Sequence, residues 1–491
     1  MTNGEQISSE VEVRKQKLKA LAEAGIIPFA ERFERNHAVT DIKTLADGTE
    51  NVRVAGRIVG LRYFGKLCFG HLFDQNGRAQ FSLQKNVLNE GYDTFRSFVD
   101  IGDYVGLEGK IFTTKTGEKT LSVQKWAFLS KALRPLPEKF HGITDDELRM
   151  RKRYLDLIST EETMARFKKR SLVISAIRNY LDTNGFLEID TPVLINKASG
   201  ALATPFMTHH NALDIDVYLR IAPETYLKRA VAGGFDRVYE FARCFRNEGM
   251  DPSHIPDFTL LEWYCSYWNY EDNMNFIEAL LKHVLEKVHG GNEINYGGTQ
   301  ISFAGAWPRI SFRDLLLKDC GIDIDAITTK EDLLGAIRGK GIALDTEMDL
   351  KKTSRGTVID LLYKKVSRPK LVNPVFIVKH PIETSPLARK NDANPLVVDR
   401  FQLVVNGWEI VNAYSELIDP IDQAERFKEQ LAAREAGDTE AMEVDQDFLT
   451  CMEYGMPPMS GLGLGVDRFI ALLTDARSLR DVVLFPLMRP E

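Results

Sequence analysis

Apolar and polar residues alternate in short segments of the N-terminal part of the chain, and this pattern predicts β-strands. Five such segments follow one another, several of them separated by turn pairs such as NG and TG: NVRVAGRIVGLRYF, KLCFGHLFD, RAQFSLQK, GDYVGLEGKIFTT and KTLSVQKWAFL. Five short strands within about a hundred residues are typical of an OB-fold, a small barrel that often holds single-stranded nucleic acid. An SH3-like barrel fits the same pattern nearly as well.

Two further patterns set the limits of this region. Before the strands, the segment SSEVEVRKQKLKALAEAG has apolar residues at helical spacing and ends at Gly25, so it predicts a helix. The basic residues of this helix either contact nucleic acid or form a solvated face. After the strands, the segment KALRPLPEKFHGITDDE reads as a linker because it carries Pro135 and Pro137. We therefore predict one domain over residues 1–145 and a second over residues 146–491.

The second region mixes helical and strand-like segments. SLVISAIRNYLDTNGF has helical spacing and a stop signal at Asn184 and Gly185. The strand-like segment FLEIDTPVLI follows and is interrupted by Pro192. Strand and helix patterns then alternate through VYLRIAPETYLKRAVAGGF and RVYEFARCFRNEG.

Composition narrows the class of protein. The chain has 491 residues, of which 44% are hydrophobic, so it can bury large cores in two or three domains. It contains no run of eighteen apolar residues, and its N-terminus lacks the apolar segment of a signal peptide. The five cysteines lie far apart without a CxxC pair, so neither a zinc site nor a disulfide is indicated. We expect a cytoplasmic protein with no membrane contact.

Charge is distributed unevenly along the chain. The net charge of −7 argues against a protein that coats nucleic acid without sequence specificity. Residues 1–160 nevertheless contain 25 Lys and Arg against 21 Asp and Glu, a net charge of +4, so the remaining residues carry −11. This asymmetry suits an N-terminal part that meets a polyanion, although solvated faces alone produce differences of this size.

The stretch FRNEGMDPSHIPDFTLLEWY, residues 245–264, is unusually rich in charge for a segment with so many apolar residues. It predicts a strand, a loop and a second strand, with Arg246 and Glu248 on one face of the first strand. On the second strand, alternate residues share a face: Phe258, Leu260, Glu262 and Tyr264. An edge hairpin with salt bridges fits the charges equally well. His254 in the loop and the aromatic Phe258 favour a site that grips a triphosphate and stacks on a base.

This stretch resembles motif 2 of the class II aminoacyl-tRNA synthetases, and two other segments resemble the remaining motifs. FLEIDTPVL, residues 186–194, is similar to motif 1, and GLGLGVDRFIALL, near residues 461–474, is similar to motif 3 with Arg468. The glycines of the latter have GxGxG spacing, which does not fit a dinucleotide fingerprint. The likeness covers essentially the whole chain and is greatest to the class II lysyl-tRNA synthetases.

The resemblance implies an architecture and a reaction. It implies an α+β fold, with an antiparallel-sheet catalytic domain after an OB-fold anticodon-binding barrel, and a homodimer formed through motif 1. The expected activity is that of a lysine–tRNA ligase, which joins L-lysine to ATP as lysyl-adenylate and then transfers lysine to the 3′ end of tRNA(Lys). The rival hypothesis is a catalytically weakened paralogue that binds tRNA or modifies another target with lysine.

The resemblance also implies roles for individual residues. The catalytic residues would be Arg246, which clamps the α-phosphate, and Arg468, which covers the base and the γ-phosphate. The other expected ATP contacts are the adenine-reading Glu248, His254 at the outer phosphates, the stacking Phe258, and Glu409. Lysine would be held by a set of mostly acidic residues, namely Glu224, Glu262, Tyr264, Asn412 and Glu416. A buried ammonium group requires such anionic partners.

Two further sets follow from the same resemblance. Magnesium accompanies ATP in this family, and Glu409 is its expected ligand here. The family usually has a second carboxylate where this chain has Gln402, whose neutral amide oxygen is a weaker ligand, so we expect a raised magnesium requirement. In the barrel, the anticodon would be contacted by Arg62, by the stacking Phe69 and by the base-reading Gln80. Aromatic residues at even spacing on a strand, such as Phe69 and Phe73, are otherwise more often core residues.

Overall fold

The chain folds into two compact units. The computed structural model describes residues 3–137, 145–197, 200, 203–344, 350, 353–435 and 444–490. Contacts divide the chain into residues 1–164 and residues 165–491. Residues 138–144 of the predicted linker lie outside the described residues. No helix of the described part is long and apolar enough to cross a membrane.

The first unit is a five-stranded barrel with helices around it. Its described elements are α1 (Asn3–Glu23), β1 (Val52–Phe64), β2 (Leu67–Asp74), β3 (Gly77–Gln84), α2 (Lys85–Leu88), α3 (Glu90–Phe98), β4 (Tyr104–Thr113), β5 (Lys119–Ser130), α4 (Asp146–Arg151) and α5 (Arg153–Ser159). The strands close in the order β1-β2-β3-β5-β4, with β3 and β5 parallel. This is the predicted OB-fold, and the SH3-like alternative is wrong. The pattern did not reveal α3, which lies between β3 and β4.

Alternation along the strands builds the barrel core. On β2, Cys68 and Leu72 are fully buried, while the intervening residues are at least partly exposed or are glycine. Phe81 and Leu83 of β3 fill the same core. Strand β2 therefore turns alternate residues to the outside, where a nucleic acid can reach them, whereas Ser82 between Phe81 and Leu83 of β3 is buried as well.

Helix α1 confirms the helix predicted from spacing, and two of its basic residues have structural partners. The Arg14 guanidinium donates to the carbonyl oxygens of Ile101 and Ala132, both at 3.1 Å. The Lys17 ammonium lies 2.6 Å from a carboxylate oxygen of Asp100. These two cations attach the helix to the barrel, so they do not form a solvated face.

The second unit contains an eight-stranded sheet. The described strands of the whole unit, which include two smaller sheets, are β6 (Leu187–Glu188), β7 (Leu194–Ile195), β8 (Met207–His210), β9 (Ile215–Leu219), β10 (Arg237–Phe245), β11 (Asp257–Ser266), β12 (Glu293–Tyr296), β13 (Thr299–Ser302), β14 (Arg309–Ser311), β15 (Val375–Val378), β16 (Arg400–Val405), β17 (Trp408–Ser415) and β18 (Met459–Gly465). The sheet order is β14-β15-β16-β17-β18-β11-β10-β6. Its pairs are antiparallel except for β14 with β15 and β10 with β6. This confirms the α+β class.

Helices pack on both faces of this sheet. The helices that follow α5 are α6 (Glu161–Thr183), α7 (Glu224–Ala232), α8 (Tyr270–His289), α9 (Phe312–Cys320), α10 (Lys330–Gly339), α11 (Arg355–Val366), α12 (Pro420–Glu435), α13 (Gln446–Glu453) and α14 (Val466–Leu473). The main core joins Ile177 of α6, Ile277 of α8 and Phe469 of α14 to the buried side chains Leu261 and Trp263 of β11. The alternate residues of β11 are therefore turned to the opposite face.

Candidate active site

A pocket of about 340 Å³ lies on the sheet face opposite this core. Alternate residues of β11 form one wall, from Phe258 to Tyr264, as the period of a strand requires. The structure brings together all eleven residues predicted for catalysis, ATP and lysine, namely Glu224, Arg246, Glu248, His254, Phe258, Glu262, Tyr264, Glu409, Asn412, Glu416 and Arg468. The residues come from segments far apart in the sequence, and the sheet is what makes them neighbours.

Gly461 makes room for two of these side chains. A Cβ atom at Gly461 would lie 2.2 Å from a ring carbon of Tyr264 and 2.4 Å from Oε1 of Glu416. Any larger residue would therefore displace both side chains from the pocket. The glycines of strand β18 thus leave space for the side chains of the pocket wall. Arg468 lies just after this strand, on the first turn of α14.

One end of the pocket is lined by cations. The guanidinium carbon of Arg246 lies 5.1 Å from the ring centre of Phe258, and its buried Nε has no hydrogen-bond partner among the described residues. Arg468 donates to the carbonyl oxygen of Glu409 at 3.0 Å, and its other terminal nitrogen is 3.2 Å from Nε2 of His254. The second ring nitrogen of His254 is 2.7 Å from a carboxylate oxygen of Asp251.

The electrostatics of this end favour an anion. Burial lowers the pKa of Arg468, and the nearby cations Arg246 and Arg368 add to the effect, while Glu409 opposes it. Guanidinium groups nonetheless remain charged at any physiological pH. Two arginines repel each other in a site that is partly shielded from water. A phosphate group that binds between them removes this repulsion and is therefore bound favourably.

The structure corrects the predicted geometry of Glu248. Strand β10 ends at Phe245, and the backbone N–H of Arg246 donates to the Pro256 carbonyl oxygen at 2.8 Å. Glu248 therefore lies beyond the strand and does not share a strand face with Arg246. It reaches the pocket from the loop, where its Oε1 accepts from the backbone N–H of Thr204 at 3.2 Å.

The other end of the pocket is lined by carboxylates. Glu224, Glu262 and Glu416 are only 6%, 5% and 2% exposed. Burial and the neighbouring Glu224 raise the pKa of Glu262 well above its usual value. Burial likewise raises the pKa of Glu416 to about 8, although Lys228 opposes the shift. An incoming ammonium group would favour the ionised form of these acids and relieve their mutual repulsion.

Neutral side chains complete this acidic end. The Tyr264 hydroxyl donates to Oε2 of Glu262 at 3.2 Å. Asn412 lines the pocket, and its Oδ1 accepts from Nε of Arg400 at 2.8 Å. Because this carbonyl oxygen is engaged, the amide nitrogen is the group that Asn412 has left for a ligand.

Sequence reasoning missed two residues of this end. The Tyr414 hydroxyl donates to Oε1 of Glu224 at 2.6 Å, and the Lys228 ammonium lies 2.5 Å from both Glu224 and Glu416. A signal for each was present. Tyr414 stands two residues after Asn412 on β17 and so shares its strand face, and Lys228 stands one helical turn after Glu224.

Comparison with known proteins identifies the family. Residues 145–489 match the model of the class II tRNA synthetases (D, K and N). This chain belongs to that family. Residues 52–129 of the synthetase also match the OB-fold nucleic acid binding domain.

Three relatives are similar to this synthetase over at least 96% of their length, and each is named a lysine–tRNA ligase. The protein of Pelotomaculum thermopropionicum is 45% identical over 489 residues, covering 99% of this chain and 96% of the relative. That of Carboxydothermus hydrogenoformans is 45% identical and covers 99% of both chains. That of Lactococcus lactis subsp. lactis is 44% identical and covers 100% of both.

In the synthetase, the side chain of Gln402 contacts Glu409, the expected magnesium ligand. Nε2 of Gln402 donates to Oε2 of Glu409 at 2.9 Å. Gln402 is buried, and its Oε1 has no hydrogen-bond partner among the described residues. One carboxylate and one unpaired amide oxygen form a donor set that suits a hard cation shared with substrate phosphates. No cluster of three or more potential His, Cys, Asp or Glu metal ligands occurs in the described part of the synthetase.

The barrel of the synthetase carries the three residues predicted for the anticodon. Phe69 is half-buried and lies outside the barrel core, so the core interpretation of this side chain is wrong, and the same holds for Phe73. Arg62 is exposed on β1 directly opposite Phe69. Gln80 lies on β3, where its Oε1 accepts from the Thr120 hydroxyl at 2.7 Å. Its amide nitrogen remains as a donor for a base edge.

Proposed function

We propose that this synthetase forms lysyl-adenylate and pyrophosphate from L-lysine and ATP and then transfers lysine to the 3′ end of tRNA(Lys). One observation carries the proposal. Three buried carboxylates meet at one end of a pocket whose other end holds two arginines. The first end suits a substrate with a cationic side chain, and the second suits a nucleotide. The relatives, similar over the full chain and named lysine–tRNA ligases, support the same assignment.

In the first step, a lysine carboxylate oxygen attacks the α-phosphorus of ATP. A bond forms between that oxygen and phosphorus, and the bond to the pyrophosphate oxygen breaks. We assign to Arg246 the stabilisation of negative charge on the α-phosphate in the transition state, because its guanidinium faces the pocket with Nε unpaired. Arg468 and His254 would bind the outer phosphates, Phe258 would stack on adenine, and Glu248 would accept from its amino group.

The protein contributes position and charge to this step and no covalent chemistry. Glu262, Tyr264 and Glu416 would hold the lysine side-chain ammonium, with Glu224 and Asn412 completing the acidic end. A site whose buried polar groups need a charged partner rejects substrates that lack one, by about 10⁴-fold or more. In the second step, the terminal ribose hydroxyl of tRNA attacks the adenylate carbonyl carbon, and AMP leaves.

Amino-acid-dependent ATP–pyrophosphate exchange tests the proposal. The panel consists of lysine, arginine, ornithine, leucine, methionine and aspartate, followed by charging of tRNA(Lys). We expect exchange with lysine and none with the neutral or acidic amino acids. A weakened paralogue would bind tRNA without exchange, and faster exchange with any other amino acid would refute lysine as the substrate.

We propose that Glu409 would hold a Mg²⁺ ion that accompanies ATP, with the Gln402 amide oxygen as a weak additional ligand. When bound, the ion supplies positive charge to the phosphate oxygens. The unpaired buried Oε1 of Gln402 and the carboxylate of Glu409 support this placement.

Replacing Gln402 with glutamate is expected to lower the magnesium concentration required for half-maximal exchange, by about tenfold, because a carboxylate binds a hard cation more strongly than an amide does. Magnesium titration of the exchange rate at saturating lysine measures the effect. Gln402→Met, which removes both polar atoms, should raise the requirement further. Equal requirements in the native protein and Gln402→Glu would contradict the expectation.

We propose that the outer face of β1, β2 and β3 binds the uridine-rich anticodon of tRNA(Lys). Two observations support this proposal: the half-buried ring of Phe69 lies outside the barrel core, and the Gln80 amide nitrogen can donate to a base edge. Arg62 adds a cation beside Phe69 for the phosphate backbone.

Replacing Phe69 with alanine is expected to raise KM for tRNA about 10- to 100-fold, the value of one lost base–aromatic stack. Lysine-dependent exchange, which needs no tRNA, should change less than twofold. Steady-state charging and exchange on the same preparation measure both quantities. Phe95→Ala, which removes a core aromatic of the same barrel, controls for loss of barrel stability. Equal losses in charging and exchange for Phe69→Ala would count against the assignment.

We also propose a cytoplasmic homodimer, with residues 1–145 as the anticodon module and residues 146–491 as the catalytic module. Motif 1 and the hairpin of β8 and β9 expose large apolar side chains that a partner subunit could cover, namely Leu187, Val193, Leu194, Met207, Leu213 and Ile215. The five free cysteines suit a reducing compartment.

Sedimentation equilibrium tests the dimer. It should give twice the chain mass of 55.6 kDa, and a stable monomer would contradict the dimer.

A further inference from the structure

We propose that Lys228 is a resident cation of the amino-acid pocket, which fixes the orientation of Glu224 and Glu416 and balances their charge so that each presents one oxygen to the substrate ammonium groups. This inference rests on the proposed lysine site and adds a positioning residue to it. Lys228 itself does not line the pocket, so it acts on the substrate only through the two carboxylates.

The position of Lys228 is set by its helix and by the sheet. It lies on α7, is 1% exposed, and stands one turn after Glu224, whose Oε1 is 2.5 Å from Nζ. Nζ is also 2.5 Å from Oε2 of Glu416, which follows β17. One ammonium group therefore connects a helix to the end of a strand, and any substrate contact of the two acids depends on this bridge.

Aromatic rings close the space around the ammonium group. Nζ lies 5.9 Å from the ring centre of Tyr264, 5.6 Å from that of Tyr414 and 5.8 Å from that of Phe448. These rings leave water little access, and their faces attract a cation. Burial alone would lower the pKa of Lys228, but Glu224 and Glu416 outweigh it and raise the pKa. Lys228 therefore stays charged.

The bridge leaves each acid with one oxygen for a ligand. Oε1 of Glu224 accepts from both Lys228 and the Tyr414 hydroxyl, which satisfies that oxygen. Oε2 of Glu416 is in the ion pair with Lys228, while its buried Oε1 lies against Gly461 of the pocket wall, whose backbone helps to lower the pKa of this carboxyl, and accepts no hydrogen bond from a described side chain. A buried, unpaired carboxylate oxygen is costly unless a donor arrives. A substrate ammonium group is such a donor.

The charge balance explains why a resident cation is useful. Facing this region are Glu224 from α7, Glu262 and Tyr264 from β11, and Tyr414 and Glu416 from β17 and its end. Without Lys228, three acids would share a dry site and would take up protons. In agreement, Lys228 lowers the pKa of both Glu262 and Glu416 against the effect of burial. The two acids therefore ionise more readily when an ammonium group arrives than they would without Lys228.

Lys228→Met tests the inference through the pH dependence of lysine binding. At pH 7.5 we expect KM for lysine in ATP–pyrophosphate exchange to rise about 10²-fold, with KM for ATP changed less than about threefold. The loss should shrink as the pH is raised towards 9, because the acids then ionise without the internal cation. Lys228→Arg keeps the positive charge but replaces the ammonium with a larger, planar guanidinium. We therefore expect KM for lysine to rise about tenfold while the pH profile of lysine binding stays like that of the native protein.

A matched control separates this role from a merely structural one. Lys131 of the barrel unit is also buried, within 2.6 Å of Asp100 and 2.8 Å of Asp103. Lys131→Met should lower the melting temperature and leave KM for lysine and its pH profile unchanged. Should Lys228→Met not fold, Lys228→Gln takes its place in the same comparison.

The outcomes distinguish this inference from the proposed function. Native protein that shows no lysine-dependent exchange overturns the proposed function and with it the role of Lys228. Native exchange together with a Lys228 variant whose KM for lysine and pH profile are unchanged overturns the role of Lys228 alone. A uniform loss of activity at every pH, with KM for ATP raised as much as KM for lysine, overturns it as well.

Discussion

Replacing Glu416 with glutamine is expected to reduce kcat/KM for lysine in ATP–pyrophosphate exchange by about 10³-fold. Glu416 is 2% exposed, and its Oε1 is a buried acceptor without a hydrogen bond from a described side chain. Glutamine has nearly the same shape but no charge, so the substrate ammonium would be buried without compensation and Lys228 would lose one of its two anionic partners. Most of the loss should fall on KM for lysine, because the ammonium is bound in the ground state as well as in the transition state.

Initial rates of exchange over a wide range of lysine concentrations measure this effect, and KM for ATP in the same assays should stay within about threefold of the native value. Glu278→Gln is the matched control, since Glu278 also pairs with a lysine one turn away, Lys282 at 2.6 Å, but lies on α8 outside the pocket. The control should behave like the native protein. A Glu416→Gln variant that binds lysine normally would remove Glu416 from the site.

Replacing Arg246 with glutamine is expected to reduce kcat for exchange by about 10³-fold, while KM for lysine changes less than tenfold. Arg246 faces the pocket, its Nε has no hydrogen-bond partner among the described residues, and it makes no ion pair there. A guanidinium that is not already neutralised is available for charge that develops on the α-phosphate. Glutamine can still donate hydrogen bonds through its amide but carries no charge, so the loss should appear in the chemical step.

Single-turnover formation of the adenylate at saturating lysine and ATP isolates that step. Arg243→Gln is the control, because Arg243 is on the same strand β10 but its guanidinium is engaged by Asp257 and by the Thr259 hydroxyl. We expect the control to form adenylate at close to the native rate. A normal rate in Arg246→Gln, with only KM for ATP raised, would mean that Arg246 binds ATP equally in both states and does not stabilise the transition state.

Local patterns in the sequence predicted much of the fold because strand alternation is a local property. The five barrel strands and the shared face of Phe258, Glu262 and Tyr264 follow from a period of two. The end of a strand is harder to predict, since it depends on what the next segment contacts. Strand β10 stops at Phe245 because the next residue in the register, Arg246, faces Pro256, which accepts its N–H but has no N–H to donate back. Glu248 therefore lies in a loop, where alternation no longer applies.

The parts of the site that the sequence did not reveal depend on pairs distant along the chain. The i to i+4 spacing of Glu224 and Lys228 is visible in the sequence, but the second partner, Glu416, arrives only when the sheet forms. The same is true of Gln402. Its identity predicted a weaker ligand for magnesium, whereas its hydrogen bond to Glu409 and its unpaired buried oxygen required the structure.

If the acidic end of the pocket holds the lysine ammonium beside a nucleotide bound by two arginines, a crystal structure with a non-hydrolysable lysyl-adenylate analogue should show both contacts. We expect the side-chain ammonium within about 3 Å of Oε1 of Glu416 and the phosphate mimic against the guanidinium of Arg246. An analogue whose ammonium points to solvent, or that binds away from Glu224, Glu262 and Glu416, would rule out this lysine site.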